Sequence, residues 1–181
     1  MHPTARRVST QLDSVFTAVD AWFDRPADER TFRPRPDAWT IDEILEHITL
    51  TSHFLLRIIR KGVDKAIRRA AAMESLPPPG DLDRLERIAA DRTMHWRHPE
   101  HMTPTGTADM AAVRATMREQ HAECRALLER MSEGEGAAHT VRMSVGDLGK
   151  IDMYQWLFFL GQHIARHLQQ MEGNAEAWRE R

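Results

Sequence analysis

Apolar residues recur at three- and four-residue steps in four segments of the chain, and no segment makes a convincing set of alternating strands, so the pattern predicts an all-α protein. The first segment runs from about Thr4 to Phe23, with Val8, Leu12, Val15, Phe16 and Val19 on one stripe and Pro26 just beyond its end. The second follows Arg33-Pro34-Arg35-Pro36, whose prolines enforce an extended lead-in. Thr40 and Glu43, three residues apart, form a capping box at its start, and Trp39 and Ile44 hold the hydrophobic-staple positions. Its apolar face comprises Ile41, Ile44, Leu45, Ile48, Leu55, Ile58 and Ile59, and Lys61-Gly62 predicts a stop. The third helix is expected from about Ala108 to Met131, with Gly134 and Gly136 marking its exit. His139 to Val145 alternates weakly, as a short extended piece would. The fourth helix opens at Asp152 with Gln155 three residues on, Ile151 and Trp156 form a second staple, and Gly173-Asn174 predicts its end.

Four such helices predict a four-helix bundle, and the residues between Gly62 and Gly106 make a long connection between its second and third helices. That stretch holds Pro77-Pro78-Pro79-Gly80 and a short helical pattern of Leu82, Leu85 and Ile88. A connection of this length can cross the end or side of a bundle, which breaks the up-down-up-down order that short loops favour. At 181 residues the chain can bury one good core, and residues 1–181 are expected to form a single domain. No internal repeat is present.

Charge narrows the partners. The 25 Lys and Arg against 27 Asp and Glu give a formal net charge of -2 with no basic block, so no nucleic-acid partner is expected. The longest strongly apolar run, Trp156 to Leu160, is far too short to span a bilayer, so no membrane association is expected either. Met1 to Ser14 carries Arg6, Arg7 and Asp13 and lacks the apolar core of a secretory signal. With Cys124 as the single cysteine, a reducing cytoplasmic location is the expectation.

Ten histidines are many for this length, and three of them fall where core residues belong. Trp156, Leu160, His163, His167 and Gln170 trace one face of the fourth helix. Ile44, His47, Thr51, Phe54 and Ile58 trace a similar line on the second. Desolvated imidazole nitrogens need hydrogen-bond partners or a metal. His163 and His167, one turn apart, can chelate one ion, and His47 from a facing helix would complete a three-histidine face with an open position. Core-edge histidines that bond a carbonyl, a carboxylate or water fit the same pattern, and periodicity alone does not choose between the two. His121, beside the apolar side of the third helix, is a weaker candidate for the same interior. His95, His98 and His101 recur around Trp96 and Pro99 and read as surface residues. His53 points away from His47, Gln170 is placed to bond a ligand or substrate, and Arg166 reads as an ion-pair residue.

An open three-histidine site offers two chemistries: turning bound water into hydroxide, or binding a thiol as thiolate and presenting it to an electrophile. His163-Ile164-Ala165-Arg166-His167 lacks the general-base Glu of the His-Glu-x-x-His metalloproteases. No Gly-x-Ser-x-Gly is present, and no catalytic side chain is assigned.

The run Asp37-Ala38-Trp39-Thr40-Ile41-Asp42-Glu43-Ile44-Leu45-Glu46-His47-Ile48, followed downstream by Gly149-Lys150-Ile151-Asp152-Met153-Tyr154-Gln155-Trp156 and His163-Ile164-Ala165-Arg166-His167-Leu168-Gln169-Gln170, resembles the DinB/YfiT-like superfamily of four-helix-bundle metalloenzymes. The resemblance covers most of the chain in order; the connection from Gly62 to Gly106 carries none of its motifs. It implies His47, His163 and His167 as ligands of one divalent metal ion, zinc or nickel, and a homodimer. Characterised members include transferases that use a low-molecular-weight thiol such as bacillithiol, mycothiol or glutathione. The implied function is a metal-dependent, thiol-dependent S-transferase acting on a small-molecule substrate in detoxification or stress response. A metal-dependent hydrolase is the alternative. A non-catalytic module stapled by the ion is another, which a fourth protein ligand such as His121 would favour.

Overall fold

The computed structural model describes residues 1–90, 99–143, 145 and 148–181, of which 88–90 by backbone alone. Four long helices make the body: α1 (Pro3–Trp22), α3 (Ile41–Ala70), α5 (Met110–Glu129) and α6 (Met153–Arg179). Two shorter ones, α2 (Ala27–Arg30) and α4 (Leu82–Ala90), lie in the connections, as do 3-10 turns at Glu100–Met102 and Glu135–Ala138. The fold is all-α apart from one hairpin, in which β1 (Thr140–Met143) pairs antiparallel with β2 (Gly149–Asp152) in the register Thr140↔Asp152. The weak alternation after His139 is therefore a strand, and its partner is the Gly149–Asp152 segment that leads into α6.

Contacts between named residues set the order of the bundle. Gln11 on α1 donates to the Phe158 carbonyl early in α6, so these two helices run parallel. On α3, His47 meets His163 and His167, while Gly62 packs on Met153 at the opposite end of α6, which makes that pair antiparallel. Arg60 and Asp64 of α3 pair with Glu123 and Arg130 at α5, in parallel order. The topology is up-down-down-up around the cycle α1, α5, α3, α6. Parallel α3 and α5 require the chain to return along the bundle between the end of the one and the start of the other.

The caps form as the sequence dictates. The Thr40 hydroxyl accepts from the Glu43 amide at 3.1 Å while Glu43 accepts from the Thr40 amide at 2.7 Å. Asp152 and Gln155 repeat the exchange at 2.8 and 3.1 Å. Two predicted stops are wrong. Gly62 does not end the second helix, which continues to Ala70; its missing side chain makes room for Met153, whose sulfur a Cβ would strike. Gly173-Asn174 does not end the fourth, which continues to Arg179; Asn174 is buried and donates to the Trp39 carbonyl at 2.8 Å instead of capping. Ile58, expected in the core, is 39% exposed and lines a surface cleft instead.

One core fills the bundle, with Leu12, Ile44, Ile48, Leu56, Leu128, Tyr154 and Leu160 all fully or almost fully buried. No described helix is long and apolar enough to cross a membrane.

Candidate metal centre

His47 sits in the second turn of α3, fixed in phase by the Thr40 cap, and is 2% exposed. His163 and His167 lie one turn apart near the middle of α6, the first buried and the second half-buried. The antiparallel packing of α3 on α6 brings all three together. Ring centroids are 4.6 Å apart for His163 and His167, 4.8 Å for His47 and His167, and 5.3 Å for His47 and His163. One ligand atom from each can be chosen so that all lie within 4.8 Å of one another. Among the described residues this is the one such group of histidine, cysteine and carboxylate side chains.

The hydrogen bonds behind the rings decide which nitrogens face inward. The Met102 carbonyl lies 2.7 Å from His47 Nδ1. A carbonyl only accepts, so Nδ1 carries the proton and Nε2 presents a lone pair, with the Thr51 hydroxyl 3.5 Å away. His167 Nδ1 likewise faces Gln170 Oε1 at 3.0 Å, which turns its Nε2 toward His163. His163 Nε2 and His167 Nε2 stand 3.2 Å apart. Two ring nitrogens at that distance need a proton or a cation between them. A tetrahedral ion with metal–nitrogen bonds of about 2.0–2.1 Å separates its ligand nitrogens by about 3.3 Å. The donor set and its backing acceptors could thus hold a metal ion, in the manner of a histidine whose second nitrogen is anchored by an oxygen.

Around the cluster, the Trp39 ring packs tilted against His47 at 4.7 Å, and Asn174 holds the Trp39 backbone against α6. The chain after Met102 is pinned beside His47 by Glu46, which is buried. Its carboxylate accepts from the Thr105 amide at 3.0 Å, the Thr105 hydroxyl at 2.8 Å and the Gly106 amide at 3.1 Å. The long connection therefore contributes directly to the site through Met102 and the Glu46 latch. Neither was identified from the sequence. The one local hint was a carboxylate next to a buried-seam histidine, in a helix where its neighbour should face water.

The other candidates lie elsewhere. His121 packs on Phe16 at 4.8 Å and meets Asp13 Oδ1 at 2.7 Å on the α1–α5 side, so it supplies no fourth ligand. His53 is exposed against Phe54. His101 is exposed and stacks on Phe54 at 4.1 Å, whereas His95, Trp96 and His98 lie outside the described residues. Cys124 is wholly buried, and burial pushes its thiol up to about 12, which leaves it inert as a nucleophile.

Fold and site together define a helical bundle with a metal-capable cluster of three imidazoles on two facing helices. The model of the DinB superfamily matches residues 10–171, and the chain belongs to that superfamily. No curated protein and no solved structure matches it.

Proposed function

We propose that His47, His163 and His167 hold one divalent metal ion, zinc or nickel, with a coordination position left open, and that the protein is a metal-dependent enzyme. The observation that carries this reading is the convergence of the three rings, with His47 and His167 each backed by an oxygen acceptor at 2.7 and 3.0 Å. Three histidines with no fourth ligand among the described residues match a catalytic set better than a closed structural one. His167 and Gln170 bring the cluster to the surface, so a small molecule can reach it.

The reaction we favour is transfer of a low-molecular-weight thiol to a small electrophile, as the superfamily resemblance implies. A bound divalent ion lowers the pKa of a coordinated thiol or water, supplying a nucleophile at neutral pH. The chain itself offers no alternative nucleophile, since Cys124 is buried and protonated. Nor is Glu46 free to act as a general base beside the ligands, because it spends both oxygens on Thr105 and Gly106. Thiol transfer is favoured over hydrolysis on the superfamily resemblance alone, since a coordinated thiol and a coordinated water each lose one proton to the same surroundings. Trp39 and Thr51 line the approach to His47 and orient what binds there.

The test is metal content by elemental mass spectrometry on untagged protein, comparing wild type with His47→Ala and His163→Ala. About one ion per chain in wild type, lost in both variants, is the expected result. Wild type that stays empty after incubation with zinc or nickel overturns the reading. Metal-loaded protein is then assayed with bacillithiol, mycothiol and glutathione against a panel of electrophiles. Consumption of thiol supports transfer, turnover without thiol supports hydrolysis, and neither supports a non-catalytic ion. Sedimentation of the same sample tests the homodimer.

A further inference from the structure

A cleft of about 460 Å³ opens along α3 beyond the imidazole cluster, between the exposed face of that helix, the Pro99–Met102 turn and β1. It has the volume of a small-molecule site. Its apolar surface comes from Phe54, Ile58, Met102 and Val141. Its charge is of one sign: Arg57, Lys61 and Lys65 line it, and no carboxylate does among the described residues. None of these three cations forms an ion pair among the described residues, although Arg60 and Asp64, the residues just before Lys61 and Lys65, are paired with Glu123 and Arg130. Arg69, one turn beyond Lys65, donates to His139 at the end of the cleft at 2.9 Å. Burial, with Arg69 and Lys65 adding to it, depresses the basicity of His139, as a positive local potential requires.

Arg57, Lys61 and Lys65 recur on one face of α3 beside the apolar floor, with no carboxylate among the described lining residues, so the cleft carries a local positive charge in a chain of net charge -2. Hydrophobic area and like charge together are complementary to one kind of occupant. We propose that this cleft binds a small organic anion with an apolar body, its charge held by Lys61 and Lys65 and its body lying on Phe54, Ile58 and Val141. Carboxylate, sulfonate and phosphate groups share the required chemistry.

The cleft adjoins the imidazole cluster in two ways. Met102 lines it and also accepts from His47. Phe54 follows His47 by seven residues on one helix, about 10 Å along its axis. The anion's role as the substrate presented to the three histidines rests on the metal reading above; the cleft as a binding site rests on its own residues.

The test uses two fluorescent probes of similar body, 8-anilinonaphthalene-1-sulfonate and the uncharged N-phenyl-1-naphthylamine. Both are titrated into the full chain with zinc and after chelation. The sulfonate is expected to saturate one site, with affinity falling as salt rises. The double variant Lys61→Glu/Lys65→Glu should weaken it by about tenfold or more and change binding of the neutral probe less than about twofold. The charge-matched variant Arg35→Glu/Lys150→Glu, at exposed positions elsewhere, and the conservative Lys61→Arg/Lys65→Arg should both bind like wild type. Circular-dichroism melts check folding; if the glutamate pair melts early, Lys61→Gln/Lys65→Gln replaces it under the same criterion. Equal loss in the two glutamate double variants, or parallel loss of both probes, overturns the proposal. Charge-dependent sulfonate binding in a protein that retains no metal sinks the metal centre alone. Metal retained without such binding sinks the cleft alone.

Discussion

His47 and His167 each answer to two demands, and the atoms behind their rings are as constrained as those in front. His47 donates from Nδ1 to a backbone carbonyl, an acceptor that side-chain mutation cannot remove, whereas His167 depends on a side chain, Gln170. Gln170 is exposed, so little packing is lost when it is shortened. Gln170→Ala should therefore leave the melting temperature of metal-free protein nearly unchanged while weakening metal affinity by about tenfold or more, the usual cost of losing an anchoring partner. Competition with a chromophoric chelator measures it. Unchanged affinity would show that His167 is not a ligand or is oriented by its helix alone. The three histidines were legible in the sequence because each occupies an apolar phase on a helix with a strong cap. Met102 was not, since a carbonyl offers no residue signature and pairs with His47 across 55 positions of chain.

At the scale of elements, starts were easier to read than stops. A capping box is a local exchange between residues three apart, and both boxes formed where Thr40 and Asp152 placed them. A glycine has two uses that look alike in sequence: it can end a helix, or it can let a helix come close to a neighbour. Gly62 has the second use, against Met153, which is itself fully buried. Gly173 has neither, for nothing lies within 4 Å of where its Cβ would stand. Opposite outcomes follow for the same change inside two helices. Gly173→Ala should stabilise by about 1 kcal/mol, the ordinary propensity gain. At Gly62 the same gain is opposed by overpacking of about 1–3 kcal/mol, so Gly62→Ala should be destabilising overall. Urea unfolding of both variants checks this, and a stabilised Gly62→Ala would mean that α6 yields at Met153 with little resistance.

The whole molecule is held in register partly at its charged edges, where up-down-down-up topology sets α1 antiparallel to α5. Periodicity could give four helices and a crossing connection, but not their cyclic order, because an amphipathic stripe says which face is buried and not which helix covers it. Long-range charge pairs record that order. Asp20 of α1 accepts from Arg114 at 2.7 and 2.9 Å and from Arg118 at 2.8 and 2.9 Å, both on α5. The hydrogen bonds from Arg114 and then Arg118 hold its carboxyl well below the usual carboxylate range. In the unfolded chain the same group titrates near the ordinary value of about 3.9. A carboxylate whose folded pKa is depressed contributes stability in full above its unfolded pKa, and loses it as pH falls toward the folded value. Asp20→Asn should thus cost about 1 kcal/mol at pH 7, a modest figure because Asp20 is 32% exposed and solvent screens the pairs. The difference between wild type and variant should hold down to about pH 5 and shrink steadily below about pH 4. Parallel urea titrations across that range measure it. A gap that stays constant on acidification would mean that Asp20 keeps α1 on α5 through packing or its backbone and not through its charge.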